Sequence, residues 1–202
     1  MTNDVETGGF TSWVKVGHPA PDYEFEAYHD GAVKKVRIGD YTDKWLVVVF
    51  YPADFTFVCP TELEQLADLY PEFQKLDTEV ISISTDTVFA HKAWHDTLPA
   101  ISKIKFPMGA DPSGRVARAF GTLIENRGTG HIDDEGLSLR GTFIIDPDGI
   151  VRSADIHDNG VGRSGTELLR TLQATQFVRT NGGQVCPAEW KPGDPGIDNK
   201  KK

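Results

Sequence analysis

The amino-acid sequence predicts an α/β fold with a mixed central β-sheet flanked by helices. Two observations lead to this fold class. Apolar, β-branched runs alternate with segments of helical spacing over the first half of the chain, and two short strands joined by a tight turn follow in the second half. A chain of 202 residues, 39% of them hydrophobic, is long enough to bury one sizeable core. We therefore predict one domain over residues 1–180 and a C-terminal tail over residues 181–202.

The alternation begins with KWLVVVFY at residues 44–51, a nearly continuous apolar run typical of a strand that is covered on both faces. Pro52 ends that strand. From Pro60 onward apolar residues recur at helical spacing, and Pro71 is expected to interrupt this helix. The next strand and the next helix are predicted at residues 78–85 and 88–98. Together these segments give the order β-α-β-α.

The second half of the chain predicts a hairpin and a final helix. A short helix and two strands are expected at residues 115–120, 141–146 and 150–156. The two strands flank the turn signal Pro147-Asp148-Gly149, so we expect an antiparallel pair and hence a mixed sheet. Ser164 and Glu167 form the capping-box pattern that opens a helix extending to about residue 178. The remainder is rich in Gly, Pro and Asp, which predicts an extended or mobile tail.

Composition excludes several classes of function. The chain has 21 basic and 30 acidic residues, and the net charge of -9 disfavours binding to nucleic acid or to an anionic membrane. No basic segment followed by an apolar stretch opens the chain, and no window nears the length of a membrane-spanning helix, so we expect a cytoplasmic protein. Two cysteines are too few for a disulfide-rich secreted scaffold. They are therefore either buried inert thiols or redox-active ones.

Cys59 lies where strand-like sequence gives way to helix-like sequence. Pro60 supplies a fixed φ that suits the first helical turn, where unpaired amides and the positive end of the helix dipole favour a thiolate. This placement suits a reactive cysteine. A small buried hydrophobe that fills the seam between sheet and helix is the alternative, and position alone leaves both interpretations open.

The residues before Cys59 decide between these interpretations. Thr56 can bring a hydroxyl beside the sulfur, donating to a thiolate and accepting from an incoming hydroxyl, although it could also be an ordinary helix-entry threonine. Pro52, Thr56 and Cys59 form the pattern P-x-x-x-T-x-x-C. With this pattern the sequence resembles the peroxiredoxins, thiol peroxidases with a thioredoxin-like fold. The resemblance runs from about residue 16 to residue 190.

The tail extends this resemblance to a particular branch. Val185-Cys186-Pro187 matches the resolving-cysteine motif of the typical two-cysteine class. The segments Pro187-Ala188-Glu189-Trp190 and His91-Lys92-Ala93-Trp94-His95 look most like the bacterial alkyl hydroperoxide reductase C branch. The resemblance implies that Cys59 attacks a hydroperoxide and becomes a sulfenic acid, which Cys186 then converts to a disulfide.

The resemblance also implies roles for charged residues. Arg140 matches the family's active-site arginine, which would stabilise the thiolate and the charge developing on peroxide oxygen. Glu62 is a carboxylate close to Cys59 and needs a cation, and the resemblance implies that it orients the arginine with Arg163 as the second member. Two solvated charges are the alternative for that pair. Tyr51 either walls the pocket or is a core aromatic at the strand end.

The implied partners follow from the same chemistry. The substrate would be a hydroperoxide, and no metal or organic cofactor is needed. An external dithiol protein, either a dedicated flavoprotein disulfide reductase or a thioredoxin-type protein, would restore both thiols. The resemblance implies an antiparallel homodimer with two reciprocal intersubunit Cys59–Cys186 disulfides, and dimers of this family often join into decameric rings.

Functions from other classes are less well supported by the sequence. A thioredoxin-like disulfide oxidoreductase usually uses C-x-x-C, and neither cysteine has a partner at that spacing. His91 and His95 have i, i+4 spacing but no nearby cysteine or H-E-x-x-H glutamate, so we expect helix-surface histidines rather than a metal site. A noncatalytic holdase or scaffold role of the oligomer is an additional alternative.

Overall fold

The structure is a computed structural model that describes residues 14–125 and 134–199. Within these ranges the strands are β1 (Glu24–His29), β2 (Ala32–Arg37), β3 (Trp45–Phe50), β4 (Thr78–Ser84), β5 (Met108–Ala110), β6 (Arg140–Ile145), β7 (Val151–His157), β8 (Gln184–Val185) and β9 (Ile197–Asp198). The α-helices are α1 (Cys59–Lys75), α2 (Val88–Thr97), α3 (Pro99–Ser102), α4 (Arg115–Ala119) and α5 (Gly165–Thr180). None of the described helices is both long and apolar enough to span a bilayer.

Seven strands form one mixed sheet in the order β2-β1-β5-β4-β3-β6-β7. Strand β4 pairs in parallel with β3 and β5, whereas β6 runs antiparallel to β3 and β7. Alternate residues of β3 enter two separate cores, with Val47 and Val49 on one face and Leu46, Val48 and Phe50 on the other. Both faces are buried, which explains the continuous apolar run, and the predicted mixed sheet is confirmed.

Helix α1 continues past Pro71 to Lys75, so the prediction that Pro71 interrupts this helix was wrong. A proline in a helix interior removes one backbone donor. The core residues Tyr70 and Phe73 flank Pro71, and Phe73 is fully buried. Packing of this apolar face holds the helix together where local propensity alone would end it.

Strands β1, β2 and β5 were not predicted from the sequence. Val36 is the only residue of β2 that is buried, so this strand lacks the apolar alternation on which sequence reasoning depends. Strand β5 has three residues, too few to show a period. A usable signal did exist, because Asp30 and Gly31 both adopt positive φ in the turn between β1 and β2, as expected for an Asp-Gly hairpin.

The described part of the tail is folded onto α5 rather than extended or mobile. Strands β8 and β9 pair as a short antiparallel ribbon. The buried Trp190 ring lies 5.0 Å from the Phe177 ring, and Arg170 donates to the Trp190 carbonyl oxygen at 3.0 Å. The Ser164 hydroxyl accepts from the Glu167 amide, which caps α5 as predicted. The division of the chain at residue 180 stays a prediction.

Candidate active site

The β3–α1 connection places Cys59 at the first position of α1, with Pro60 at the second. The sulfur-bearing side chain is fully buried and belongs to the same core as Tyr51 and Leu63. The groups that face the Cys59 sulfur therefore come from the ends of two neighbouring strands, β3 and β6. The carboxyl end of β3 delivers the loop before Cys59, and the antiparallel β6 begins at the same edge of the sheet.

Arg140 is the first residue of β6, two positions before the Thr142 that pairs with Val49. Its side chain is 3% exposed, and its Nη1 donates to the Cys59 Sγ at 3.4 Å and to Glu62 Oε2 at 2.7 Å. Its Nε donates to the Asn159 carbonyl oxygen at 2.9 Å. The guanidinium is thus held by three acceptors and faces the sulfur directly.

Glu62 lies one turn into α1 and is held by a second arginine. Arg163 donates to Glu62 Oε1 through Nε at 2.9 Å, to the same oxygen through its backbone amide at 2.7 Å, and to Oε2 through Nη2 at 3.0 Å. Burial alone raises the pKa of Glu62, but the hydrogen bonds and charge of Arg163 and the charge of Arg140 outweigh it, so the pKa is lowered. The carboxylate therefore stays ionised.

The three charges of this cluster do not cancel. Arg140 and Arg163 contribute two positive charges, and Glu62 contributes one negative charge. One positive charge is left uncompensated among these three buried side chains, and Arg140 presents it to the sulfur.

Thr56 lies in the loop before Cys59, but its hydroxyl makes a different contact from the one expected. The Oγ1 donates its hydrogen to the Ala53 carbonyl oxygen at 2.9 Å, so the expected donation to the sulfur is not the contact seen. The lone pairs of a hydroxyl whose hydrogen is already engaged remain available as acceptors. Pro52 is buried at the end of β3, and Phe55 adopts φ +57°, so this loop has a defined, tight conformation.

Tyr51 and His91 belong to a buried polar group that sequence reasoning did not find. The Tyr51 hydroxyl donates to Asp54 Oδ1 at 2.8 Å, so Tyr51 is a core aromatic with a polar partner. His91 is fully buried against Asp54, and its placement on the helix surface was wrong. Helix α2 buries Val88, His91 and Trp94, and this i, i+3, i+6 spacing was the available signal.

His95, one turn further along α2, is half-buried, and its Nε2 lies 3.4 Å from the Ile104 carbonyl oxygen. Among the described residues no group of three or more His, Cys, Asp or Glu side chains is placed to hold a metal ion.

Cys186 directly follows β8 and contacts α5. Both cysteines are free thiols, and the Cys186 thiol donates to the Ala174 carbonyl oxygen at 3.6 Å. Burial raises the pKa of Cys186, while the charge of Arg170 acts in the opposite direction. The Cys59 side chain, by contrast, has no exposed surface at the start of α1.

Sequence comparisons place most of the chain in known families. A profile of the AhpC/TSA family matches residues 16–154, and a profile described as the C-terminal domain of 1-Cys peroxiredoxin matches residues 174–202. Alkyl hydroperoxide reductase C of Staphylococcus aureus is 50% identical over 169 residues, covering 82% of this chain and 85% of that protein. Alkyl hydroperoxide reductase C of Pseudomonas aeruginosa is 44% identical over 172 residues, covering 85% and 88%.

Solved structures agree with these sequence matches. The crystal structure of Enterococcus faecalis AhpC superposes with a TM-score of 0.79 at 45% identity, covering 85% of this chain and 98% of that chain. The reduced 2-Cys peroxiredoxin of Plasmodium vivax superposes with a TM-score of 0.82 at 31% identity, covering 92% and 93%. The expected thioredoxin-like fold is confirmed.

Proposed function

The chain belongs to the AhpC/TSA family of peroxiredoxins, and from this premise we propose how its own residues carry out thiol-dependent peroxide reduction. The activity itself follows from the family: the protein is a peroxidase that uses a thiol to reduce hydroperoxides. The observation that carries the residue assignment is the position of Arg140, whose Nη1 contacts both the Cys59 sulfur and the Glu62 carboxylate.

In the first step the Cys59 thiolate attacks one oxygen of the hydroperoxide. The S–O bond forms as the O–O bond breaks, Cys59 becomes a sulfenic acid, and the other oxygen leaves as water or an alcohol after taking a proton. Thr56 would accept the hydrogen of the hydroperoxide, since its own hydrogen is given to Ala53. Arg140 would stabilise the negative charge that develops on the leaving oxygen.

In the second step a Cys186 thiolate attacks the sulfenic sulfur, a disulfide forms, and the sulfenic oxygen leaves as water. Cys59 must first leave its buried position, so this step requires the opening of the first turn of α1. An external dithiol then exchanges with the disulfide and restores both thiols. A dedicated flavoprotein reductase and a thioredoxin-type protein both fit this role, and a cytoplasmic location would supply either.

We propose that the partner subunit's Cys186 performs this step within a two-fold dimer. Strand β7 is one of the two edge strands of the sheet, and its residues Ala154, Asp155 and Ile156 are exposed. An edge with unpaired backbone groups can pair with the same edge of a second copy. A cavity of about 470 Å³ beside this edge is lined by residues that include Asp155 and Glu62, so a partner's tail entering here would approach the site.

We further propose that dimers assemble into rings, with decamers as the form typical of the family. Phe55, Phe57 and Phe89 are 61%, 95% and 74% exposed, and they lie before α1 and at the start of α2. Three phenylalanine rings left in water favour burial against another apolar surface. A second copy presents the same three rings, so a contact between two copies can be self-complementary.

Sedimentation velocity of the reduced protein tests the ring. The wild type is expected to sediment as a species larger than a dimer, and Phe89→Asp is expected to sediment as a dimer, because burying an unpaired charge in the contact is costly. Val178→Asp, an exposed apolar position on α5, is the matched control and should behave as the wild type does. A wild type no larger than a dimer, or an unchanged Phe89→Asp, would contradict the proposal.

One equivalent of hydrogen peroxide added to reduced protein tests the catalytic cycle. We expect a covalent dimer from the wild type on a nonreducing gel, and a mass gain of one oxygen atom in Cys186→Ser. The matched variant Cys59→Ser should show neither product, because it lacks the attacking thiolate. Unmodified thiols, under conditions that fully oxidise another peroxiredoxin, would overturn the proposal and favour a noncatalytic scaffold.

A further inference from the structure

The buried pair of Asp54 and His91 has no part in the mechanism above. The His91 Nδ1 lies 2.8 Å from Asp54 Oδ2, and the two side chains are 0% and 1% exposed. The His91 Nε2 lies 3.0 Å from the Gly109 carbonyl oxygen. A fully buried carboxyl–imidazole contact is costly to form unless its groups are all satisfied, so its presence beside the catalytic loop calls for a reason.

The neighbours of His91 determine where its hydrogens are. A carbonyl oxygen only accepts, so the Nε2 that faces Gly109 must carry a hydrogen. The contact between Nδ1 and the Asp54 carboxyl group then contains one shared hydrogen, whether the pair is ionic or neutral. Burial raises the pKa of Asp54, and the hydrogen bond from His91 opposes that shift. In either protonation form Asp54 Oδ1 accepts from Tyr51.

Asp54 ties the loop before Cys59 to three separate parts of the fold. Its side chain reaches Tyr51 at the end of β3 and His91 on α2. Its backbone amide donates to Asp86 Oδ2 at 2.8 Å, and that carboxylate is held by the Ser84 hydroxyl at 2.7 Å. No other residue of this loop has side-chain and backbone anchors of this kind among the contacts described for it.

The anchor lies two residues before Thr56. Between them, Phe55 is in the left-handed region, where a residue with a bulky side chain is strained and must be held by its surroundings. The Thr56 hydroxyl donates to Ala53, on the other side of Asp54. The orientation of the Thr56 lone pairs therefore depends on the backbone that Asp54 fixes.

We propose that Asp54 and His91 are positioning residues for peroxide reduction, which hold Thr56 where its hydroxyl can receive a hydroperoxide. The inference rests on the proposed roles of Cys59 and Thr56. It predicts that loss of the pair slows the reaction of Cys59 with peroxide and leaves its reaction with a simple alkylating agent nearly unchanged, because iodoacetamide does not need the Thr56 acceptor.

The first test compares Asp54→Ala with Asp54→Asn. Alanine removes the anchor, and a displacement of about 1 Å in a substrate-binding group can slow a reaction by about 10²-fold. An asparagine amide can donate to the neutral His91 Nδ1 while its oxygen accepts from Tyr51, so this variant should stay within a few-fold of the wild type. Rescue by asparagine but not by alanine is the expected pattern.

The measurements are the second-order rate constant for Cys59 oxidation by hydrogen peroxide and, in the Cys186→Ser background, the rate of alkylation by iodoacetamide. Asp146→Ala is the matched control, since Asp146 is equally buried and paired with Arg152 and Arg179 at the opposite end of β6. Asp146→Ala should lower stability without changing the ratio of the peroxide rate to the alkylation rate. His91→Leu removes the contact between His91 and Asp54 at similar volume, and it replaces Asp54→Ala if that variant does not fold.

An Asp54→Ala variant that reacts with peroxide as fast as the wild type would overturn the inference. The same holds for His91→Leu where it replaces Asp54→Ala. An Asp54→Asn variant as slow as the alanine variant, or a parallel loss of alkylation and peroxide rates, would also overturn the inference. A wild type that fails to react with peroxide at all would instead refute the proposed function, so the two failures are distinguishable.

Discussion

Replacing Arg140 by methionine is expected to slow the oxidation of Cys59 by hydrogen peroxide by about 10²–10³-fold, the usual loss when a charged or polar donor is removed from a reacting centre. The Arg140 Nη1 is the donor that contacts the sulfur, at 3.4 Å, and the side chain is almost completely buried. Methionine keeps an unbranched, flexible side chain at this position but removes the charge and every hydrogen-bond donor.

Two comparisons separate the contact to sulfur from the contact to the carboxylate. Arg163→Met removes a cation from the same Glu62 but leaves Arg140 beside Cys59, so we expect a smaller loss of rate. Arg140→Lys keeps the charge but cannot reproduce the fork that reaches Cys59, Glu62 and the Asn159 carbonyl together, so it should recover only part of the rate.

Stopped-flow mixing of reduced protein with excess peroxide gives the rate constant directly. Arg118→Met, which removes a half-exposed arginine from α4, is the control and should react at the wild-type rate. An Arg140→Met variant that reacts within three-fold of the wild type would contradict the proposed role, whatever its stability.

Replacing Glu62 by glutamine is expected to lower the free energy of unfolding by about 3–5 kcal/mol at pH 7, the usual result of removing one partner of a buried ion pair. The carboxylate is 4% exposed and accepts hydrogen bonds from both Arg140 and Arg163. Glutamine preserves the shape of the side chain, so the loss reports the two guanidinium groups left without a counter-charge.

The effect should depend on pH in a defined direction. The folded protein lowers the pKa of Glu62 below its ordinary value of 4.5, so the carboxylate stabilises the fold fully above that value. The contribution is lost as the pH falls through the folded pKa. The difference in the free energy of unfolding between wild type and Glu62→Gln should therefore be constant from about pH 5.5 to 8. It should become smaller as the pH falls below 4.5.

Urea unfolding at several pH values measures this difference. Glu64→Gln is the matched control on the same helix, because Glu64 makes a solvent-exposed ion pair with Lys103 and should change stability little at any pH. The loss of unfolding free energy in Glu62→Gln could instead grow as the pH falls, or be no larger than the loss in Glu64→Gln. Either result would show that the Glu62 cluster does not stabilise the fold as an ionised group.

The sequence by itself determined the features that depend on neighbouring residues. The alternation of apolar runs with helical spacing predicted β3, β4, α2 and the β6–β7 hairpin. The P-x-x-x-T-x-x-C pattern placed Pro52, Thr56 and Cys59 at the strand-to-helix junction, because a motif of eight residues lies within one connection of the fold.

The tertiary structure alone decided the contacts between distant parts of the chain. Glu62 meets Arg140 and Arg163 across 78 and 101 residues, and no local pattern carries that information. The family resemblance pointed to both arginines, but only the pairing of β6 with β3 brings Arg140 level with the start of α1.

Long-range packing also overrode two local expectations. Pro71 was expected to interrupt a helix that the core holds intact, and His91 was expected on a surface that the sheet covers. In both cases burial against distant residues outweighed the local preference of a single residue, because tertiary packing supplies most of the stability of an amphipathic helix. The spacing of Val88, His91 and Trp94 was a local signal of burial, but Asp54 and the Gly109 carbonyl, which satisfy the two ring nitrogens of His91, are distant in the sequence.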